Sequence, residues 1–150
     1  MAWEASRAYW NRFGSVRGWA NIVINVCAYN AGGSSNDLLG TVALPVSPTD
    51  PRGEAVELKD EQGIAIPGCE LRYSVHFREF PAGARLLGSV RVGIHGVVNL
   101  PSFRGLISGR ERQWSPFAII TAFSKDDDLM FQQQTSVAPN TLNPDWGETF

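Results

Sequence analysis

Alternating apolar and polar side chains dominate the chain and predict β-strands. The segment CELRYSVHFREF (69–80) follows this period throughout, and GSVRVGIHGVV (88–98) repeats it. A strand with one buried face requires such a pattern. The side chains predicted to face inward are Leu71, Tyr73, Val75, Phe77, Val90, Val92 and Ile94. Those predicted to face outward are Glu70, Arg72, Ser74, His76, Arg78, Ser89, Arg91 and His95.

Four further strands are expected elsewhere. ANIVINVCAY (20–29) and PFAIITAF (116–123) are rich in β-branched and aromatic residues, which is typical of central strands. LLGTVALPV (38–46) and MFQQQTSV (130–137) are shorter, and no helical period persists, with at most a turn over 54–58. The gaps are filled by turn-forming residues. The pattern therefore predicts an all-β fold: an antiparallel β-sandwich of about eight strands, with a barrel as the alternative.

The bulk composition narrows the classes of function. A chain of 150 residues can bury one ordinary core. The net charge is −2 and the cations are scattered, which argues against a nucleic-acid partner. Two cysteines without C-x-x-C spacing indicate neither a disulfide scaffold nor a zinc site, and no apolar run reaches the ~20 residues of a spanning helix. A cytoplasmic protein is predicted, with peripheral membrane contact as an alternative.

Enzyme chemistry finds little support in the residues. Cys69 and His76 lie on one predicted strand with opposite parity, so their side chains leave opposite faces and cannot form a dyad. A pairing of Cys27 with His95 stays open. The loop AGGSSND (31–37) lies between strands rather than before a helix, so it is interpreted as turn chemistry and not as a phosphate-binding loop.

Three segments in the second part of the chain carry a family resemblance. They are SVRVGIHGVVNLP (89–101), SPFAIITAF (115–123) and TSVAPNTLNPDWGETF (135–150). Together they resemble the first half of a C2 domain, in which a strand ends in an N-L-P-like segment and a later segment reads T-x-N-P-x-W-x-E-x-F. The last match is the most specific. Its residues are Thr141, Asn143, Pro144, Trp146, Glu148 and Phe150.

The second half of the C2 pattern resembles earlier parts of the chain. YWNRF (9–13) is similar to a shorter copy of the tryptophan strand, and residues 24–46 resemble the strand, calcium loop and D-x-L-G strand that follow it. GCELRYSVHF (68–77) is similar to the closing strand. The resemblance implies a C2-like Greek key sandwich whose two halves occur in swapped order.

The spacing of the tryptophans suggests how the halves are arranged. Trp10 and Trp146 lie about 136 residues apart, which is one domain length. We therefore expect residues 1–80 to be the closing half of one C2 unit, residues 81–86 a linker, and residues 87–150 the opening half of the next, so that the chain ends within a domain. The halves could pack as one permuted sandwich, exchange between chains as a domain-swapped dimer, or stay apart with exposed edges.

The calcium site that the resemblance implies is incomplete. C2 domains that bind calcium gather aspartates from two loops, since Ca²⁺ takes six to eight oxygen ligands. The matching positions here are Arg104, Ser115, Ala28, Asn30 and Asp37, with one carboxylate among them. Calcium independence and no cofactor are predicted, although weak calcium binding stays open. The aspartates 126–128 are interpreted as a solvated turn.

The candidate lipid-binding loop is SFRGLISGRERQW (102–114), where apolar side chains stand beside arginines. In the alternative interpretation, Phe103 and Trp114 cap the sandwich. The family's lysine-rich strand has no counterpart, since only Lys125 lies near it. We expect a non-enzymatic module that contacts anionic phospholipid membranes or a partner protein; the alternatives are a scaffold without lipid binding and a regulatory region of a larger lipid-signalling enzyme. The candidate residues are Phe103, Arg104, Leu106, Ile107, Arg110, Arg112 and Trp114.

Overall fold

Every regular element in the described part of the chain is a β-strand. The computed structural model describes residues 2–6, 20–29, 36–46, 52–79, 81–83, 86–104, 111–112, 114–124 and 129–150, and no helix occurs in these segments. The strands are β1 (Ala2–Ser6), β2 (Ala20–Ala28), β3 (Asp37–Val46), β4 (Arg52–Lys59), β5 (Ala65–Glu79), β6 (Leu86–Val98), β7 (Phe103–Arg104), β8 (Glu111–Arg112), β9 (Pro116–Ser124), β10 (Leu129–Gln134) and β11 (Asp145–Thr149).

The strands form one curled antiparallel sheet. Its order is β1-β6-β5-β4-β3-β2-β9-β10, with β11 also pairing with β6, while β7 and β8 form a separate hairpin. Between β3 and β4, the register of the described residues contains only the pair Thr41 and Lys59. The curled sheet forms a β-sandwich. The predicted all-β antiparallel fold is confirmed.

The alternation along β5 and β6 determines which side chains form the core. Leu71, Tyr73 and Val75 are buried, whereas Arg72 and His76 between and beyond them are exposed. On β6 the inward residues predicted from the sequence are buried as well, while the residues between them that face outward include exposed ones. Those buried side chains are Val90, Val92 and Ile94.

Strand β4 is an element that the sequence pattern did not reveal. At most a turn was expected over 54–58, but Arg52–Lys59 pairs with β5 along most of its length. Its alternation is short because only Val56 and Leu58 are apolar and inward, with exposed Glu57 between them. Leu58 is fully buried against the backbone of Gly40, where a Cβ atom would approach it to 3.0 Å.

The core draws on residues from both parts of the chain. Strand β2 pairs with β9 along nine residues, and Ile24 lies directly opposite Ile120. Both side chains are almost completely buried, at 0% and 1% exposure. The core cluster comprises Ile22, Ile24, Val26, Ala28, Leu39, Val42, Leu44, Leu58, Cys69, Leu71, Tyr73, Val75, Val90, Val92, Ile94, Val97, Leu100, Ala118, Ile120, Ala122 and Phe150.

The two ends of the described chain share one edge of β6. Phe150 exchanges two backbone hydrogen bonds with Val92, at 2.8 and 2.9 Å. The next position of β6, Arg91, pairs with Ala2 of β1. Strands β11 and β1 therefore follow each other end to end along the same edge. The strand predicted over 9–13 lies outside the described residues.

A tryptophan pair gives a test of the packing around β11. The indole N–H of Trp146 is buried without a hydrogen-bond partner, whereas that of Trp114 donates to the carbonyl of Pro101 at 2.8 Å. A buried unpaired donor costs about 1–3 kcal/mol. We expect Trp146→Phe to change the free energy of unfolding by less than about 1 kcal/mol, because the orphan donor is removed together with some buried area.

Trp114→Phe removes the same number of atoms and serves as the matched control. It leaves the Pro101 carbonyl without its donor, so we expect it to cost about 1 kcal/mol more than Trp146→Phe in urea unfolding. Equal losses in the two variants would show that the indole N–H of Trp146 finds an acceptor after all.

Candidate functional site at the loop end of the sandwich

One end of the sandwich gathers the positions that the sequence singled out as loops. Ala28 at the end of β2 lies between Asp37 at the start of β3 and Pro116 at the start of β9. One residue further, the backbone N–H of Tyr29 donates to the carbonyl of Ser115 at 2.9 Å. We call this region, where β2 and β6 end and β3 and β9 begin, the loop end.

The candidate lipid loop begins and ends as a short hairpin at the loop end. In it Phe103 pairs with Arg112 and Arg104 with Glu111. Trp114 is partly buried against the core, and its hydrogen bond to the carbonyl of Pro101 connects the two chain segments at the base of the hairpin. The tip, with Leu106, Ile107 and Arg110, lies outside the described residues, as does Asn30. The assignment of this loop to lipid therefore stays a prediction.

The T-x-N-P part of the tryptophan motif ties the loops of this end together. Asn143 accepts the backbone N–H of Asn99 through its Oδ1 atom at 2.9 Å, and Leu142 accepts that of Leu100 at 3.0 Å. Asn99 in turn donates its side-chain amide to the carbonyl of Gly68 at 3.0 Å. Thr141 donates its N–H to Trp114 at 2.9 Å. The motif thus connects β5, β6 and the segment before β9.

The acidic residue of the motif fixes the link from β10 to β11. Glu148 accepts the backbone N–H of Ser136 at 2.8 Å and also its hydroxyl. The adjacent Thr135 is buried and accepts the N–H of Ala118 at 2.9 Å. Charge-assisted bonds of this kind are stronger than neutral ones. Glu148 is therefore assigned a structural role.

Exposed large hydrophobic side chains concentrate at the loop end. In the described part of the chain they are Tyr29 (53% exposed), Ile64 (60%) and Val137 (38%). Tyr29 is bonded to Ser115, and Ala138, next to Val137, donates to Pro116 at 2.9 Å. Ile64 lies in the hairpin between β4 and β5, which extends beyond the contact of Gly68 with Asn99. The three side chains belong to different loops and lie at the same end of the sandwich.

Sequence reasoning missed these three residues. An apolar residue beside a strand is ordinarily assigned to the core, and no local signal in YNAGG or QGIAI separates an exposed tip from a buried end. Only the long-range pairing of the strands shows which loops share an end. The turn signals around 30–33 and 60–63 could have placed Tyr29 and Ile64 next to turns, but not at the same end of the sandwich.

No cluster of metal ligands occurs at the loop end among the described residues. Across the described segments, no group of three or more His, Cys, Asp or Glu side chains could hold a metal ion. Asp37 is exposed, and the Oγ atom of Ser115 accepts the N–H of Asn140 at 3.3 Å. Residues 126–128 lie outside the described residues. They follow β9, which ends at Ser124, the opposite end of the strand from Pro116.

The thiols and imidazoles form no catalytic pair in the described residues. Cys69 is completely buried and His76 on the same strand is exposed, so the predicted opposite orientation is confirmed. Desolvation, with a smaller contribution from Glu57, raises the pKa of Cys69 to about 11, and burial also raises the pKa of Cys27. His95 is exposed on β6 and bonds to Ser74, so the structure does not bring it to Cys27 on β2.

The fold is that of an antiparallel β-sandwich, and within the described residues its exposed large apolar side chains lie at one loop-bearing end. One comparison with known families gives a match. Residues 83–150 match the family model of the C2 domain. C2 domains are typically non-catalytic modules that bind phospholipid membranes or proteins.

Two other comparisons give no relatives. Neither a curated protein nor a solved structure matches the chain significantly. Within the described residues, no helix has the length and apolar character needed to cross a membrane.

Proposed function

We propose that the chain is a non-enzymatic, calcium-independent C2 module that contacts anionic phospholipid membranes through its loop end. The observation that carries this proposal is the position of Tyr29, Ile64 and Val137, which come from separate loops and are exposed at the same end. The candidate lipid loop leaves the sandwich at this end as well. Its arginines and apolar residues are the combination that interfacial segments use.

The energetic argument rests on partial insertion. Each apolar side chain that leaves water gains about 25 cal/mol per Å² of buried surface, so an isoleucine or tyrosine contributes on the order of 1 kcal/mol even when half inserted. Arginines at the rim keep their guanidinium groups at the phosphates while their stems cover apolar surface. Several such residues acting together are enough for reversible peripheral binding.

Calcium independence is supported by the side chains at the loop end. The position expected to carry a carboxylate in β2 is Ala28, and among the described residues Asp37 belongs to no group of three or more side chains that could hold a metal ion. A cation would meet too few hard oxygen ligands to lose its water. We propose a cytoplasmic, peripherally bound protein; the two cysteines are buried and free of disulfides, which suits a reducing compartment.

Vesicle co-sedimentation tests this function. We expect the chain to bind phosphatidylserine vesicles equally in calcium and in EDTA. Tyr29→Ser combined with Ile64→Ser is expected to weaken binding about tenfold, because two exposed apolar side chains lose their contribution while the core stays intact. Arg91→Gln, on the outer face of β6, serves as the control and is expected to bind as the unmodified chain does.

Two outcomes would contradict the proposal. Binding in calcium alone would mean that carboxylates converge at the loop end despite the sequence comparison. Unchanged binding by the Tyr29→Ser, Ile64→Ser variant would exclude insertion through these loops. A third variant, Leu106→Ser with Ile107→Ser, then tests the tip of the candidate lipid loop separately.

A further inference from the structure

The outer face of β4, β5 and β6 carries a charge pattern that the loop end does not explain. Both histidines of the chain lie on it, together with two arginines and three carboxylates. All of these side chains are exposed. We call this surface the charged sheet face; its charged and titratable side chains are Glu57, Glu70, Arg72, His76, Arg91, His95 and Asp145.

The cationic part of the charged sheet face lies toward the β5–β6 turn. His76 is directly opposite Arg91, and Ser74 is opposite Gly93 in the next row. The imidazole of His95 bonds to the hydroxyl of Ser74 at 3.2 Å across this glycine. No carboxylate among the described side chains forms an ion pair with Arg91. This part of the face presents two imidazoles and the exposed guanidinium of Arg91.

The acidic part lies toward the loop end. Glu57 is opposite Glu70, while Asp145 and Arg72 flank Gly96 from its two sides. Arg72 makes no ion pair with a described carboxylate either. Three negative charges therefore stand at one end of the face, where Arg72 shares the row of Gly96 with Asp145.

Two further charged residues lie near the cationic part in the strand register. Arg78 pairs with Ser89 of β6, and Glu4 of β1 pairs with the same residue from the other side. The β4 position opposite Ser74 is Gly53, which carries no charge. Charges of both signs thus lie one row beyond His76 and Arg91.

The mixed pattern distinguishes between two kinds of partner. Successive residues on one face of a strand are about 7 Å apart, which is less than the screening length of ~8 Å at physiological salt. A uniformly anionic membrane lying on the face would therefore meet the three carboxylates together with the arginines. A protein surface can place acidic groups opposite the cationic part and basic or neutral groups opposite Glu57 and Glu70.

We propose that the charged sheet face is a docking surface for a partner protein that presents an acidic segment to His76, Arg91 and His95. The guanidinium of Arg91 is permanently charged, and its fork of N–H donors matches the geometry of a carboxylate. This inference does not depend on membrane binding at the loop end.

A labelled peptide of alternating glutamate and serine residues, with two lysines at one end, is the probe for this surface. Fluorescence anisotropy of the whole chain with this peptide is expected to show saturable binding that weakens as the salt concentration rises. Arg91→Gln is expected to weaken binding at least about fivefold, since it removes a permanent charge. His76→Gln with His95→Gln is expected to weaken binding at least about twofold, since it removes the two imidazoles from the cationic part.

Lys59→Gln is the matched control, because it removes one exposed positive charge beyond Glu57, outside the cationic part. It is expected to change the affinity less than twofold. Equal weakening by Lys59→Gln and Arg91→Gln would mean attraction by net charge, and unchanged binding by the double histidine variant would exclude a role of the imidazoles. If Arg91→Gln instead abolished binding to phosphatidylserine vesicles and left peptide binding unchanged, the face would bind a membrane and the proposal would be wrong.

Discussion

Replacing Ile24 or Ile120 by alanine is expected to lower the free energy of unfolding by about 2–5 kcal/mol in each case. The two side chains lie opposite each other on β2 and β9 and are buried to within 1%. Truncation of either leaves a cavity against the other. Because the second truncation enlarges a cavity that already exists, we expect the double variant to deviate from additivity by at least about 0.5 kcal/mol. Urea unfolding of the two single variants and the double variant measures this coupling.

This cycle also tests how the two parts of the chain are related. We propose that residues 1–80 and 87–150 are complementary halves that pack as one permuted sandwich, and Ile24 and Ile120 come from different halves. Ile64→Ala, at a side chain that is 60% exposed, is the additive control in combination with Ile24→Ala. Strict additivity for Ile24 and Ile120 would indicate half-domains that do not share a core. Coupling that appears only at high protein concentration would indicate the domain-swapped dimer.

The second large effect is expected at Gly96. A Cβ atom at this position would approach the carbonyl oxygen of Pro144 to 2.5 Å, and that oxygen is part of the backbone. The same carbonyl accepts the N–H of Val97 at 3.0 Å, so it cannot move without loss of a hydrogen bond. We expect Gly96→Ala to cost about 2–3 kcal/mol in urea unfolding and to loosen β11 from β6.

Gly93, on the same strand, provides the comparison. A Cβ atom there would meet the hydroxyl of Ser74 and the ring of His95, both of which are side chains that can rotate away. Gly93→Ala is therefore expected to cost less than about 1 kcal/mol, and the Ser74→Ala background should remove most of that cost. A loss at Gly96 no larger than at Gly93 would show that the segment around Pro144 is more adaptable than its hydrogen bonds indicate.

The strands that could be predicted from sequence are those whose pattern is long. β5 and β6 contain enough alternating positions to reveal both their existence and their buried faces. β4 has two apolar residues that face inward, Val56 and Leu58, and most of its backbone pairing is with β5. A strand whose stability comes from its neighbour has little signal of its own.

The loop end shows a different limit of sequence reasoning. The T-x-N-P-x-W-x-E-x-F motif pointed to the family whose model matches residues 83–150, and the structure gives its residues physical roles: Asn143 accepts the N–H of Asn99, and Glu148 accepts that of Ser136. The exposed residues Tyr29 and Ile64 carry no such motif. Their position at the same end of the sandwich is created by strand pairings between distant parts of the chain, which a local pattern cannot encode.

The meeting of β11 and β1 on one edge of β6 has a mechanical consequence. Phe150 and Ala2 occupy neighbouring positions opposite Val92 and Arg91, so the chain leaves and enters the sheet at nearly the same point. Tension applied between these two residues would peel the two five-residue strands outward from their junction. Each hydrogen-bonded pair would then be loaded in turn rather than all at once. The edge of β6 is therefore the place where the sandwich yields first under force, while the long pairing of β5 with β6 is left unloaded.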